Sequence, residues 1–204
     1  MLIKKGDFIE LEFTASTEAG IFDTTNPEIA KTLGYKRDVK PLKIIVGEHM
    51  VIEGLDKQLE GKEINKEYTI TIEPKDGFGE RKTELIKTVP LNAFEKKPIE
   101  GEGLLINGIL ARVIKVASGR VTLDFNHPLA GKKVFYKFKI LRLINDKDER
   151  AKTILDYFKT DYKMEEKNDE LIIKLKLKIP QIEELIKKYI EKVRVIYTES
   201  DNKK

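Results

Sequence analysis

Polar and apolar residues alternate over 7–14 (Asp-Phe-Ile-Glu-Leu-Glu-Phe-Thr), the pattern of a strand with one face buried. Glu18-Ala19-Gly20 makes a turn, and residues 21–25 follow it. Pro27 opens and Gly34 closes a polar segment that predicts a short helix over 28–33. Residues 42–46 (Leu-Lys-Ile-Ile-Val) read as another strand, ending at Gly47. Beyond it, Val51, Ile52, Leu55 and Leu59 fall on one face of a predicted helix over 51–59. Residues 68–72 alternate again and stop at Pro74, after which Phe78 sits between Gly77 and Gly79 in a turn.

A second pattern begins near Glu84. Residues 90–94 predict one helical turn, and 104–110 predict a hairpin around Asn107-Gly108, a dipeptide suited to the left-handed turn of a tight hairpin. The strand continues through 111–116, and Ser118-Gly119 turns it into 120–125. A unit of about 40 residues is smaller than a lone core comfortably supports, so it is expected as an insert in a larger domain. Residues 126–132 lead back into a strand over 134–141 that would close the first sheet.

The tail differs. Asp146 caps a helix reaching Lys159, with Ala151, Ile154, Leu155 and Phe158 on one face. Residues 162–166 and 170–179 predict a hairpin about Lys167-Asn168-Asp169. Pro180 opens a further helix, with Ile182, Leu185, Ile186, Tyr189, Ile190 and Val193 at helical spacing, and 193–197 is a last strand. The order α-β-β-α-β describes a compact third domain, and the chain as a whole is α+β.

Composition narrows the function. Charged residues, dominated by Lys and Glu, make up 36% of the chain, a mix expected of a hot-adapted protein. The net charge of +4 does not point to nucleic acid or a membrane surface, and the Lys174/Lys176/Lys178 stripe reads as a solvated strand face. Without cysteine there is no disulfide, thiol catalysis or thiolate metal site. His49 and His127 read as loop residues, so neither metal nor cofactor is expected. The N-terminal residues turn polar at once and no apolar run approaches ~20 residues, so a cytoplasmic location is expected.

The string Gly47-x-x-x-Val51-Ile52-x-Gly54, followed by Gly61, Pro74 and Gly77-Phe78-Gly79, resembles the FKBP family of peptidyl-prolyl isomerases. Asn65 stands where the second hinge glycine of that pattern is usual. The string Asn126-His127-x-Leu129-Ala130-Gly131 and the strand after it are similar to SlyD-type members, in which an "insert in flap" chaperone unit interrupts the isomerase domain. The resemblance covers roughly residues 1–145, and the tail looks like the extra domain of long-type archaeal members. It implies an FKBP antiparallel sheet wrapped on a short helix (1–83 plus 127–145), an inserted all-β chaperone domain (84–126) and a C-terminal α+β domain (146–204) that could join two copies as a homodimer.

The resemblance also implies a site. Asp23, Phe78 and Tyr136 take the catalytic positions, and Phe13, Phe22, Leu42, Val51, Ile52 and Leu55 the substrate-binding ones. Phe13 stands for the usual first-strand tyrosine. Leu55 replaces the pocket-floor tryptophan and Phe78 a tyrosine, and the loss of these two polar handles implies weaker binding of the family's macrolide inhibitors with catalysis retained. Rotation about an X-Pro bond has an activation energy of about 20 kcal/mol. Lowering it requires no nucleophile or metal, only an apolar, water-poor pocket that favours the twisted amide. In the insert, Leu104, Leu105, Ile106, Ile109, Leu110, Val113 and Ile114 are more apolar side chains than a small sheet buries, which implies a groove for unfolded polypeptides. The expected activity is therefore prolyl isomerisation coupled to a chaperone insert. The alternative is a holdase in which isomerisation is incidental.

Overall fold

In the computed structural model, which describes residues 1–198, the first alternating run becomes β1 (Phe8–Thr17). Positions 199–204, which end the tail segment, lie outside the described residues. The chain forms two compact units, residues 1–71 with 135 onward, and residues 72–134.

In the first unit, β1 buries Ile9, Leu11, Phe13 and Ala15 at alternate positions, and Phe8 at its start as well. Its C-terminal half pairs antiparallel with β2 (Gly20–Thr24), and its N-terminal half with β3 (Leu42–Ile45). Its other side takes β9 (Val134–Leu143), and β4 (Glu67–Ile72) completes the order β2-β1-β9-β4. Helix α1 (Pro27–Thr32) is capped by Asn26, whose side chain accepts from the N–H groups of Glu28 and Ile29. Helix α2 (Glu53–Leu59) buries Leu55 and Leu59. It is shorter than the predicted 51–59 because Ile52 is extended (φ −58, ψ 145) and serves as its N-cap.

The tail belongs to this same unit. Helix α3 (Lys147–Tyr157) starts at Asp146, whose carboxylate accepts from Glu149 N–H at 2.8 Å. Strands β10 (Tyr162–Lys167) and β11 (Glu170–Leu175) form a hairpin whose turn residues Asn168 and Asp169 both have positive φ. Helix α4 (Pro180–Tyr189) then crosses over to β12 (Val193–Tyr197), which pairs parallel with β11. The predicted strand over 170–179 ends at Leu175 because its pairing with both neighbours ends there, and Leu177 is exposed.

Glu149 ties α3 to the first sheet. It takes hydrogen bonds from Arg142 of β9 (2.6 and 3.0 Å) and a salt bridge from Lys43 of β3 (2.8 Å). The Arg142 and Lys43 hydrogen bonds, in that order, outweigh partial burial and hold the Glu149 carboxyl down at about 2. A carboxyl depressed in the fold stabilises it above the ordinary carboxylate pKa and loses that contribution as pH falls through the depressed value. Acid titration followed by circular dichroism should show stability falling between about pH 4.5 and about 2, with a shallower fall for Glu149→Gln. Equal slopes would contradict this role.

The second unit is a four-stranded antiparallel sheet in the order β5-β8-β7-β6. Its strands are β5 (Ile86–Pro90), β6 (Gly103–Ile106), β7 (Ile109–Ala117) and β8 (Arg120–Asp124). Asn107-Gly108 and Ser118-Gly119 both turn with positive φ at both positions, as hairpin chemistry requires. Ala111, Val113, Val121 and Leu123 form its core, with Leu104, Ile106, Val116 and Phe125 packed against it. Among the described residues no helix is long and apolar enough to cross a membrane.

Candidate active site

The β2-β1-β9 register sets the site. Ala15 lies opposite Asp23 on one side and opposite Tyr136 on the other, so these three side chains stand in one row on one face. The β1–β2 register then skips Phe22, because Ser16 pairs with Ile21. Such a bulge re-aims side chains, and here it lets the sequence neighbours Phe22 and Asp23 both face the side of the sheet that carries Tyr136. The Phe22 ring meets Tyr136 edge-on at 6.5 Å, and the Phe13 ring lies 5.4 Å from Tyr136 at 46°. Phe13 and Tyr136 are buried, 7% and 5% exposed. Burial first, and the charge of Asp23 second, push the Tyr136 hydroxyl up to about 12. It therefore stays protonated at neutral pH and can donate a hydrogen bond.

Two threonines that sequence reasoning passed over fix this cradle. Thr25 Oγ1 accepts from Phe13 N–H at 2.8 Å, while Thr24 Oγ1 donates to Phe13 C=O at 3.1 Å. Asp23 is half-exposed, accepts from Thr24 N–H at 2.9 Å and lies 4.0 Å from the Arg37 guanidinium. Tyr35 donates to Phe22 C=O at 3.4 Å. Leu42 stands opposite Leu11, four residues before Ala15 along β1.

Val51 and Ile52 are half-buried in the loop before α2, and Leu55 is core, 1% exposed. The loop is held by Asp56, a buried carboxylate that accepts from Gly47 N–H (2.9 Å) and His49 N–H (3.0 Å). Gly47 needs its φ of 83, and a Cβ there would come within 2.6 Å of Lys5 Cγ. Asp56 had a sequence signal, an acid one residue after the pocket-floor position, but its acceptor role is visible only in the structure.

Phe78 belongs to the second unit, where its ring stacks on His127 at 4.8 Å and 2°. Of the apolar residues expected to line a groove there, Val113 is core, and Leu104 and Ile106 are partly buried against it. Leu105, Ile109, Leu110 and Ile114 are exposed. Leu105 pairs with Leu110 and Gly103 with Arg112, which places Leu105, Leu110, Arg112 and Ile114 on the open face. Leu110, Arg112 and Ile114 line a cavity of about 1150 Å³, with Phe125, Pro128 and Lys132 among its other walls.

Aromatic rings around one acid and one phenol fit the apolar, water-poor site that prolyl rotation requires. The family model described as FKBP-type peptidyl-prolyl cis-trans isomerase matches residues 2–94, and the one described as FKBP26, IF domain, matches 87–129. The chain is 39% identical over 145 residues to the short-type peptidyl-prolyl cis-trans isomerase of Methanocaldococcus jannaschii, covering 68% of this chain and 92% of that protein. It is 30% identical over 146 residues to the FKBP-type peptidyl-prolyl cis-trans isomerase SlyD of Helicobacter pylori, covering 68% and 72%. The FKBP-type 16 kDa peptidyl-prolyl cis-trans isomerase of Escherichia coli is 30% identical over 111 residues, 51% of this chain and 74% of that protein. The chain belongs to the FKBP-type peptidyl-prolyl cis-trans isomerases, as a SlyD-like member with an insert-in-flap domain. It is an enzyme that catalyses rotation about X-Pro bonds.

Proposed function

We propose that rotation takes place over the row Asp23–Ala15–Tyr136, between the rings of Phe13 and Phe22. Leu42, Val51, Ile52 and Leu55 shape the seat of the proline, and Phe78 joins the catalytic residues through its place in the family motif. The observation that carries this reading is the row itself, in which Ala15 sets Asp23 across from the buried Tyr136. A planar amide concentrates negative charge on its oxygen, and twisting releases it. A carboxylate near that oxygen therefore disfavours the planar state more than the twisted one, and an apolar wall does the same. Tyr136 supplies a donor for the peptide.

The inserted unit, residues 84–126 in our assignment, acts as a chaperone module for unfolded polypeptide in the cytoplasm of a hot-adapted archaeon. Its open apolar face supports this, since Leu105, Leu110 and Ile114 are 73%, 58% and 38% exposed. Because both units are one chain, a client held on one stays at raised effective concentration for the other. A holdase reading draws on the same exposed face and on Leu55 and Phe78, which lack the polar atoms of the tryptophan and tyrosine they replace.

The two readings separate in one set of variants. Asp23→Asn removes the charge, Tyr136→Phe the hydroxyl and Phe78→Ala the ring. Each should lower kcat/KM on a short Xaa-Pro peptide by about tenfold or more, equivalent to roughly 1.4 kcal/mol of barrier, while aggregation of an unfolded client stays suppressed. Unchanged turnover in all three would remove these residues from the site and favour the holdase.

A further inference from the structure

The loop that precedes Val51 and Ile52 is gripped from two sides. On the inside, Asp56 takes the N–H groups of Gly47 and His49. Between them, Glu48 points to the last turn of α4, in the C-terminal segment. Its Oε1 accepts from the Tyr189 hydroxyl at 2.6 Å and from Lys188 Nζ at 2.7 Å. The Tyr189 ring is itself fixed, edge-on to Phe8 at 5.4 Å and 84°. It also lies against Gly6, where a Cβ would sit 3.3 Å from the ring. Gly6 N–H in turn donates to Val46 C=O, the residue before the loop, at 2.9 Å.

The Glu48 side chain is only 16% exposed. Burial works against its ionisation, but the Lys188 and Tyr189 hydrogen bonds and the Lys188 charge outweigh it and hold the carboxyl below its ordinary range. Lys188 is half-exposed, so its ion pair contributes little alone. The part-buried phenol donating to a charged acceptor is the stronger element. Its partners stand 141 positions apart in sequence, so no local requirement of the loop or of α4 explains the pair.

We infer that Glu48 and Tyr189 are positioning residues for the isomerase, through which the C-terminal segment holds the substrate-binding loop in its working shape. The inference rests on the reading that Val51 and Ile52 contact the peptide. It gives the appended α-β-β-α-β segment a task within its own chain. Neither residue touches the reacting bond. Their effect passes through the backbone of 47–52, and so appears in substrate binding more than in the chemical step.

The test uses the full chain. Tyr189→Phe keeps the ring against Phe8 and Gly6 and deletes only the donor, while Glu48→Gln keeps the shape and deletes the charge. Exchange kinetics on a short Xaa-Pro peptide are measured beside a titration of the same peptide followed at the Val51 and Ile52 amide resonances. Each variant should raise KM about three- to tenfold, the range of one hydrogen bond's net worth, with kcat and melting temperature close to the parent. The amides of 47–52 should shift in the free variants, and the double variant should be no worse than the single ones. If peptide moves the parent's Val51 and Ile52 amides but the variants keep the parent's KM and amide positions, the grip is refuted and the site reading stands. If peptide does not move those amides, the site reading fails, and the positioning role falls with it. A parallel drop in kcat, affinity and melting temperature would mark a merely structural contact and also overturn the inference.

Discussion

Ala15→Leu is expected to cut short-peptide isomerisation by about ten- to a hundredfold while client holding survives. Ala15 is fully buried and stands between Asp23 and Tyr136 across three strands. A larger residue in that row has nowhere to go except into the space between acid and phenol, because β1 is fixed on both sides by its ladders. Overpacking of this kind costs ~1–3 kcal/mol, and placed on the bound transition state that is the stated loss in rate. The second unit contains neither Ala15 nor its neighbours, so suppression of aggregation should persist. Ala15→Ser, nearly isosteric, serves as the control for folding and should retain most turnover. A fully active Ala15→Leu enzyme would show that the row is not where the proline sits.

The second large effect concerns protein clients. Replacing Leu105, Leu110 and Ile114 together by serine should leave short-peptide turnover unchanged and slow the proline-limited refolding of a protein on the order of 100-fold relative to the parent, the low end of what linked binding contributes. These side chains are exposed on the open face of the second unit, so the sheet's core of Ala111, Val113, Val121 and Leu123 is not disturbed. Gly103 offers an independent check. Its backbone is not left-handed, and a side chain there would project beside Leu110, with a Cβ 3.3 Å from Leu110 Cδ1. Equal loss on peptide and protein would end the proposed division of labour.

Much of this was legible in the sequence because the governing patterns are local. Alternation marked β1 and β4, and the dipeptides Asn107-Gly108 and Ser118-Gly119 marked the hairpins of the second unit, since few residues accept two successive left-handed conformations. Strand β5 escaped notice. Residues 86–90 do not alternate, and they form a strand only because β8 offers an edge on which a terminal Pro90 is tolerated. Val51 and Ile52 fit helical spacing yet lie ahead of α2, since helical periodicity does not reveal that Ile52 turns extended. At the site, the aromatic residues were named from the family pattern. The bulge at Phe22, the small Ala15 and the acceptor role of Asp56 follow from registers and hydrogen bonds between distant segments, which no single window of sequence contains.

The decisive measurement is the cis-to-trans exchange rate of a short Xaa-Pro peptide, taken with and without catalytic amounts of the intact chain and beside Asp23→Asn. Exchange should accelerate strongly with the intact chain and fall back toward the uncatalysed rate, a matter of tens of seconds, with the variant. Equal acceleration by both would contradict the role given to Asp23 and the cradle around it.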